Sequence, residues 1–225
     1  MLRIGSLLVL AAVAAAASCA HEPRSVMVKR PDDKVNDTAV TEMWAQEIRN
    51  VARDGDWILS RSYYAVGDAI VIGTPGEELS HASIYDAKSD SIVESVSSGV
   101  REKPLAELVG RNHWVLVVRP SGMTAADQTE ALARARGQIG AAFDMSGMFG
   151  IDTPEQFYCS ELVYWASQTE VRSGKRERVI TPSGLMKYGE VIYWSGKRDD
   201  PQVVELATTR MARPPVRTET AAAPR

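Results

Sequence analysis

One of the two cysteines in this 225-residue chain lies in Tyr158-Cys159-Ser160-Glu161-Leu162-Val163. A turn at Thr153-Pro154-Glu155 precedes it. Apolar Leu162, Val163, Trp165 and Ala166 follow at helical spacing, which predicts a helix from Cys159 to Thr169. The first turn of a helix presents unpaired N–H groups and the positive end of the dipole. Both favour the thiolate, the reactive form of a cysteine. The same N–H groups can face a developing oxyanion. The competing reading is a buried cysteine acting as a small hydrophobe, but that role gives no reason to stand at a helix start. Glu161 suits the dipole there as a first-turn acid.

A thiol hydrolase needs a base and a group that orients it. The chain has three histidines. His21 falls in a polar N-terminal stretch, and His113, beside Arg111 and Asn112, reads as a solvated loop residue. His81 remains. It opens the alternating run Ala82 to Tyr85, so its ring stands on a sheet face near a loop mouth. Glu94 lies inside a second strand, Ser91 to Val96, where an acid amid apolar neighbours needs a partner. In an antiparallel hairpin turning at Asp86 to Asp90, His81 and Glu94 can share one face. The alternative is an outward-facing Glu94, with Asp86 and Asp56 as weaker orienting groups. So few His and Cys residues make a zinc site unexpected, and no cofactor is implied.

Further elements must hold these residues in place. Thr41 to Arg53 has the spacing of an amphipathic helix, and Trp57 to Leu59 starts a strand after the Asp54-Gly55-Asp56 turn. Tyr64 to Ile72 fits a strand or a helix weakened at Gly67. Pro104 to Val109 reads as a short helix, Trp114 to Arg119 as a buried strand, and Ala125 to Ile139 as a helix with Thr124 as N-cap. Val191 to Trp194 closes with a strand. The fold class is α+β.

Five blocks in order carry a resemblance: Gly55-Asp56-Trp57-Ile58, Leu79-Ser80-His81-Ala82-Ser83-Ile84-Tyr85, Val93-Glu94-Ser95 with Gly99-Val100, Phe143-Asp144, and Phe157-Tyr158-Cys159-Ser160-Glu161-Leu162-Val163. Over about residues 54–195 the chain resembles the YiiX/YebB-type permuted papain-like amidases, relatives of the NlpC-type cell-wall peptidases. The resemblance implies a circularly permuted papain-like fold, a small antiparallel sheet packed against helices that include the Cys-bearing one. It also implies a helix over Tyr64 to Ile72 and the roles of nucleophile for Cys159, base for His81 and orienting acid for Glu94. Tyr158, Ser160 and Ser80, which flank these positions, and Trp57 of the first block are candidates for substrate or oxyanion contact. Phe143 stands where Tyr is more usual.

The chain's 44% hydrophobic and 24% charged composition is that of a globular protein, and its net charge of −3 gives no nucleic-acid footprint. Arg3, an apolar run from Ile4 to Ala17 and Ala16-Ala17-Ser18 before Cys19 read as a signal peptide over residues 1–18. Cys19 is then a lipidation site, and Ala20 after it points to the outer membrane. The alternative is cleavage after Ala20 and a soluble periplasmic protein. Residues 19–36 read as a tether, 37–200 as the hydrolase domain and 201–225 as a disordered tail. The expectation is an envelope amide hydrolase acting through a thioester on peptidoglycan peptides, or on acylated amino acids or lipids. A non-catalytic envelope-binding module and a lipid acyltransferase or thioesterase are the alternatives.

Overall fold

A computed structural model describes residues 23–74 and 78–212. The expected signal peptide and Cys19 lie outside the described residues, as does the chain after residue 212.

Helix α1 (Lys34–Val51) begins about two turns before the expected start at Thr41. Asp33 caps it, its carboxylate accepting the N–H groups of Val35 and Asn36 at 2.9 and 3.1 Å. Val40, Met43, Trp44 and Ile48 form its buried stripe. Six strands then build one antiparallel sheet: β1 (Trp57–Ser62), β2 (His81–Asp86), β3 (Ser91–Val96), β4 (Gly99–Pro104), β5 (Asn112–Pro120) and β6 (Gly189–Trp194), in the order β4-β3-β2-β1-β5-β6. The β2–β3 turn is set by Asp86, whose Oδ1 accepts the Lys88 and Ser89 N–H groups. The β3–β4 turn needs Gly99, which has φ +101° and where a Cβ would lie 2.5 Å from Ala141 O.

Helices cover both faces. Trp57, Leu59, Ala82, Ile84 and Val93 pack with α4 (Ala125–Arg136) and α5 (Cys159–Ala166) through Ala131, Leu132, Leu162 and Val163. Ile58, Tyr85, Ile92, Val115 and Val117 pack on the other face with α1 and with α3 (Leu105–Gly110). Two covered faces explain why β1 is buried at all six positions instead of alternating. Full burial of Leu162 and Val163 on α5 contributes about 2 kcal/mol each and fixes the helix on the sheet. The expected helix Cys159–Thr169 breaks at Gln168, which has φ 50°, and restarts as α6 (Thr169–Ser173). Tyr64 to Ile72 is helical, as α2 (Ala65–Gly73).

Both expected termini are corrected. Residues 201–212 are not a disordered tail but helix α7 (Pro201–Ala212), with Ala207 buried against α1. Pro at the first helical position is compatible with a start, and Asp200 Oδ1 accepts the Gln202 N–H at 2.8 Å. The expected tether 19–36 is docked from residue 23 onward. Ser25 N–H donates to Tyr63 O and Ala65 N–H to Pro23 O, and Asp68 accepts from Ser25 Oγ and from the Val26 N–H.

Candidate active site

Cys159 opens α5 because the chain before it is pinned. Phe157 N–H donates to Ala142 O at 3.2 Å, and Ser95 Oγ of β3 donates to Phe157 O at 2.5 Å. Tyr158 is extended, and its N–H donates to Glu161 Oε2 at 3.1 Å. The first intrahelical bond runs from Leu162 N–H to Tyr158 O. The N–H groups of the turn before it therefore point at the helix mouth, where the dipole is positive.

The sulfur meets the sheet where β2 and β3 part. Their pairing runs from Asp86↔Ser91 to Ser83↔Glu94. Beyond that pair the Ala82 N–H donates to the Cys159 sulfur. His81, two residues from Ser83 on the same strand face, reaches diagonally to Glu94, with Nε2 to Oε2 at 2.6 Å. The ring's second partner is the Cys159 thiol. Glu94 is fully buried and also accepts from Arg101 Nε at 2.9 Å and from Arg111 Nη2. Arg101 stands directly across from it on β4. Cys159 is 7% exposed and the His81 side chain 12%, so the pair opens narrowly to solvent.

The charges follow from these contacts. Burial works to lower the His81 pKa, but the hydrogen bonds to Cys159 and Glu94 outweigh it and raise the imidazolium to about 9. Burial works to raise the Cys159 thiol, but the bond to His81 and the ring's charge win, helped by the Ala82 N–H and Ser160 Oγ, and hold it below its ordinary value. Burial likewise opposes ionisation of Glu94. The bond to His81 and the charges of His81, Arg111 and Arg101 overcome it and keep the carboxyl far below the usual range. At neutral pH the arrangement favours a thiolate–imidazolium pair backed by a carboxylate. Such a pair can attack a carbonyl and return a proton to a leaving amine.

The model of the permuted papain-like amidase family (YaeF/YiiX, C92) matches residues 51–188, more than half of the chain. The chain belongs to this permuted papain-like amidase family. It is accordingly a cysteine-type hydrolase of amide bonds. A solved structure described as metalloprotein yiiX from Escherichia coli O157:H7 is similar at 24% identity and a TM-score of 0.46, over 55% of this chain and 68% of that one. Comparison with curated proteins returned no match. Along the chain, β2 with His81 and β3 with Glu94 precede α5, which begins at Cys159.

The four contact candidates have other partners. Trp57 is fully buried and its Nε1–H donates to Ser167 Oγ at 2.9 Å. Ser80 Oγ accepts the Ser62 N–H at 3.0 Å, which ties β1 to the chain entering β2. Tyr158 OH accepts the Ile180 N–H at 2.9 Å, and Ser160 Oγ donates to Ile180 O at 2.8 Å while also facing the sulfur. Trp57, Ser80 and Tyr158 belong to the packing around the site, and Ser160 both packs there and reaches the sulfur. His113 is buried in β5 against Tyr63 OH, not in a solvated loop. Asp56 pairs with Arg119 and Asp86 sets its turn and pairs with Arg136, so neither orients His81. Phe143 packs against the core.

Arg101, Arg111 and Ser95 were not visible as site residues. Only Arg101 left a signal, since a tight turn at Gly99 places it opposite Glu94. Among the described residues, carboxylate oxygens of Asp144, Asp152 and Glu161 lie within 4.8 Å of one another. Asp144 holds the following loop, accepting from Ser146 Oγ and the Gly147 and Thr153 N–H groups. Burial, aided by the charges of Asp144 and Asp152, pushes Glu161 up to about 7. A cavity of about 820 Å³ lies on the outer flank of α5 between Glu161, Trp165 and Arg178. Neither Cys159 nor His81 lines it.

Proposed function

We propose that Cys159, His81 and Glu94 are the catalytic triad of this amide hydrolase, working in the bacterial cell envelope. The observation that carries the reading is the hydrogen-bonded line from the Cys159 sulfur through the His81 ring to the buried Glu94 carboxylate. The thiolate attacks the amide carbonyl, and N–H groups at the start of α5 hold the oxyanion. The imidazolium protonates the leaving amine as the C–N bond breaks, leaving a thioester. The neutral ring then takes a proton from water, whose oxygen attacks the thioester, and the acid is released as the thiolate is restored. Glu94 keeps the ring in one tautomer and orientation.

The substrate class we propose first is a peptidoglycan stem peptide. An N-acylated amino acid or lipid is the second, and one observation favours it. With the chain docked from residue 23 onward, only residues 20–22 separate the proposed lipidated Cys19 from the domain. That spacing holds the domain near the membrane and shortens its reach toward the wall.

Alkylation by iodoacetamide tests the triad. Cys159 reacts well below pH 8, and His81→Ala moves its profile to higher pH. A slow reaction that ignores His81 refutes the assignment. Wall fragments and N-acyl amides, each incubated with the wild type and with Cys159→Ala, then read by mass spectrometry for new amine ends, decide the substrate. Release from neither refutes both substrate readings.

A further inference from the structure

Helix α2 reads Ala-Val-Gly-Asp-Ala-Ile-Val-Ile-Gly, with Asp68 its single ionisable residue. An amphipathic helix buries its apolar side, and this one does the reverse. Its buried residues are Gly67 and Asp68, while Val66 is 47% and Ile72 70% exposed.

The cause lies underneath it. Buried Arg61 of β1 pairs with Asp68 and draws the polar edge inward. Gly67 lets the helix sit close, since a Cβ there would lie 2.7 Å from Arg61 Nη1 and 2.9 Å from Ser80 Oγ. The apolar edge is left facing outward. The segment 23–28 crosses at the same place. Asp68 accepts from Ser25 Oγ at 2.7 Å and from the Val26 and Met27 N–H groups at 2.8 and 3.3 Å. Val26 is 94% and Met27 51% exposed. Two adjoining segments, both fixed to one buried ion pair, thus present Val26, Met27, Val66 and Ile72 to the outside.

The chain itself points to what covers them. Cys19 stands four residues before Pro23, a distance the backbone spans in at most about 14 Å. An acyl chain on Cys19 would bring this face, not the opposite end of the domain, against the bilayer surface. Arg24 is exposed in the same segment and suits anionic headgroups. We propose that α2 and the segment 23–28 form a lipid-docking surface that seats the domain on the membrane. The helix lies partly sunk in the interfacial layer with Val66 and Ile72 inward. Because Gly67 abuts Ser80, the residue before His81, docking holds the candidate active site beside the headgroups. The proposal rests on the proposed anchor at Cys19 and not on the amidase chemistry.

The test uses the processed protein, acylated at Cys19, in vesicles of phosphatidylethanolamine and phosphatidylglycerol that carry a phospholipid with a diazirine in its acyl chain. After irradiation, lipid adducts are mapped by peptide mass spectrometry. Adducts are expected on the peptides containing residues 25–28 and 65–73. Ile72→Asp should lower the yield on the 25–28 peptide about tenfold, with Ile72→Ser as the milder variant should the first misfold. Val171→Asp, at a side chain 79% exposed on α6, should leave it unchanged. Adducts confined to residues before Pro23 overturn the proposal. So does an unlabelled α2, as when a second copy of the chain covers it instead.

Discussion

Glu94→Gln keeps the shape of the side chain and removes its charge. The native carboxylate is fully buried and accepts from His81, Arg101 and Arg111. The amide has one oxygen for three donors, and its own NH2 must face one of them. Raising the imidazolium from 6.5 to about 9 corresponds to a preference of about 3 kcal/mol for the charged ring, at about 1.4 kcal/mol per pH unit. Burial opposes that rise, and two partners supply it, Cys159 and Glu94. Removing one of the two should lower the ring's midpoint by about one to two pH units. Titration of 15N-histidine-labelled protein by NMR reads the ring directly. Alkylation by iodoacetamide reads the thiolate, whose midpoint should rise as the imidazolium weakens. Stability should fall by about 3 kcal/mol, since two guanidinium groups and the ring lose their counter-charge. The sign with pH follows from the two shifts. The raised His81 contributes fully below 6.5 and loses its contribution as pH rises through about 9. The depressed Glu94 contributes above the ordinary carboxylate range and loses its contribution as pH falls below it. The melting-temperature gap between wild type and variant should therefore be widest near pH 5 to 6 and shrink toward pH 10. A folded variant whose His81 still titrates near 9 would refute the claim that Glu94 holds the ring charged.

Ser95→Ala removes the bond from β3 to Phe157 O. It should cost about 1 to 2 kcal/mol in denaturant unfolding and slow alkylation of Cys159 at pH 7, because the start of α5 loses a fixed point. Trp57→Phe should lower stability by about 1 to 2 kcal/mol through the lost bond to Ser167 and the smaller ring. The alkylation profile should stay in place, and a displaced profile would return Trp57 to the reactive centre. Glu161→Gln bears on a carboxyl pushed up to about 7 by burial beside Asp144 and Asp152. A raised carboxyl contributes stability below about 4.5 that is lost as pH rises through about 7. Relative to wild type the variant should therefore gain at pH 8 and not at pH 4, by about 1 kcal/mol after solvent screening. Equal melting differences at both pH values would contradict this.

The three side chains of the candidate triad were legible because each breaks a local pattern. A cysteine at a helix start, a histidine at a strand mouth and an acid inside an apolar strand all conflict with the packing around them. Their partners break no pattern. Arg101 is an ordinary outer-strand arginine until the β3–β4 register sets it against Glu94. Arg111 reaches Glu94 only because α3 ends over that strand. Ser95 is one of several serines in its stretch and gains its role from a contact with Phe157, 62 residues away. Adjacency in sequence misled in the other direction. Ser80 and Tyr158 lie next to chemistry along the chain, yet their side chains are taken up by Ser62 and Ile180.

The ends of the domain followed the same logic. Residues 201–225 read as a tail because prolines at 214, 215 and 224 and an Ala-rich end mark its last part, yet Pro201 with an Asp before it opens a helix. The polar run after Pro23 read as a free tether because nothing local shows that Asp68 needs its N–H groups. The need becomes visible only once Arg61 is known to be buried. A guanidinium buried near the end of the central strand β1 requires a carboxylate, and the only acid on α2 supplies it. The segment 23–28 then satisfies the carboxylate's remaining lone pairs. A single buried charge on β1 thus turns α2 inside out, docks the N-terminal segment and leaves Val66 and Ile72 exposed. If that chain of cause is right, the outward apolar face follows from the ion pair. Arg61→Met with Asp68→Leu should let α2 roll its apolar edge inward, lowering lipid adducts on residues 65–73 while the domain stays folded. Undiminished labelling in that double variant would show that the apolar edge faces outward for another reason.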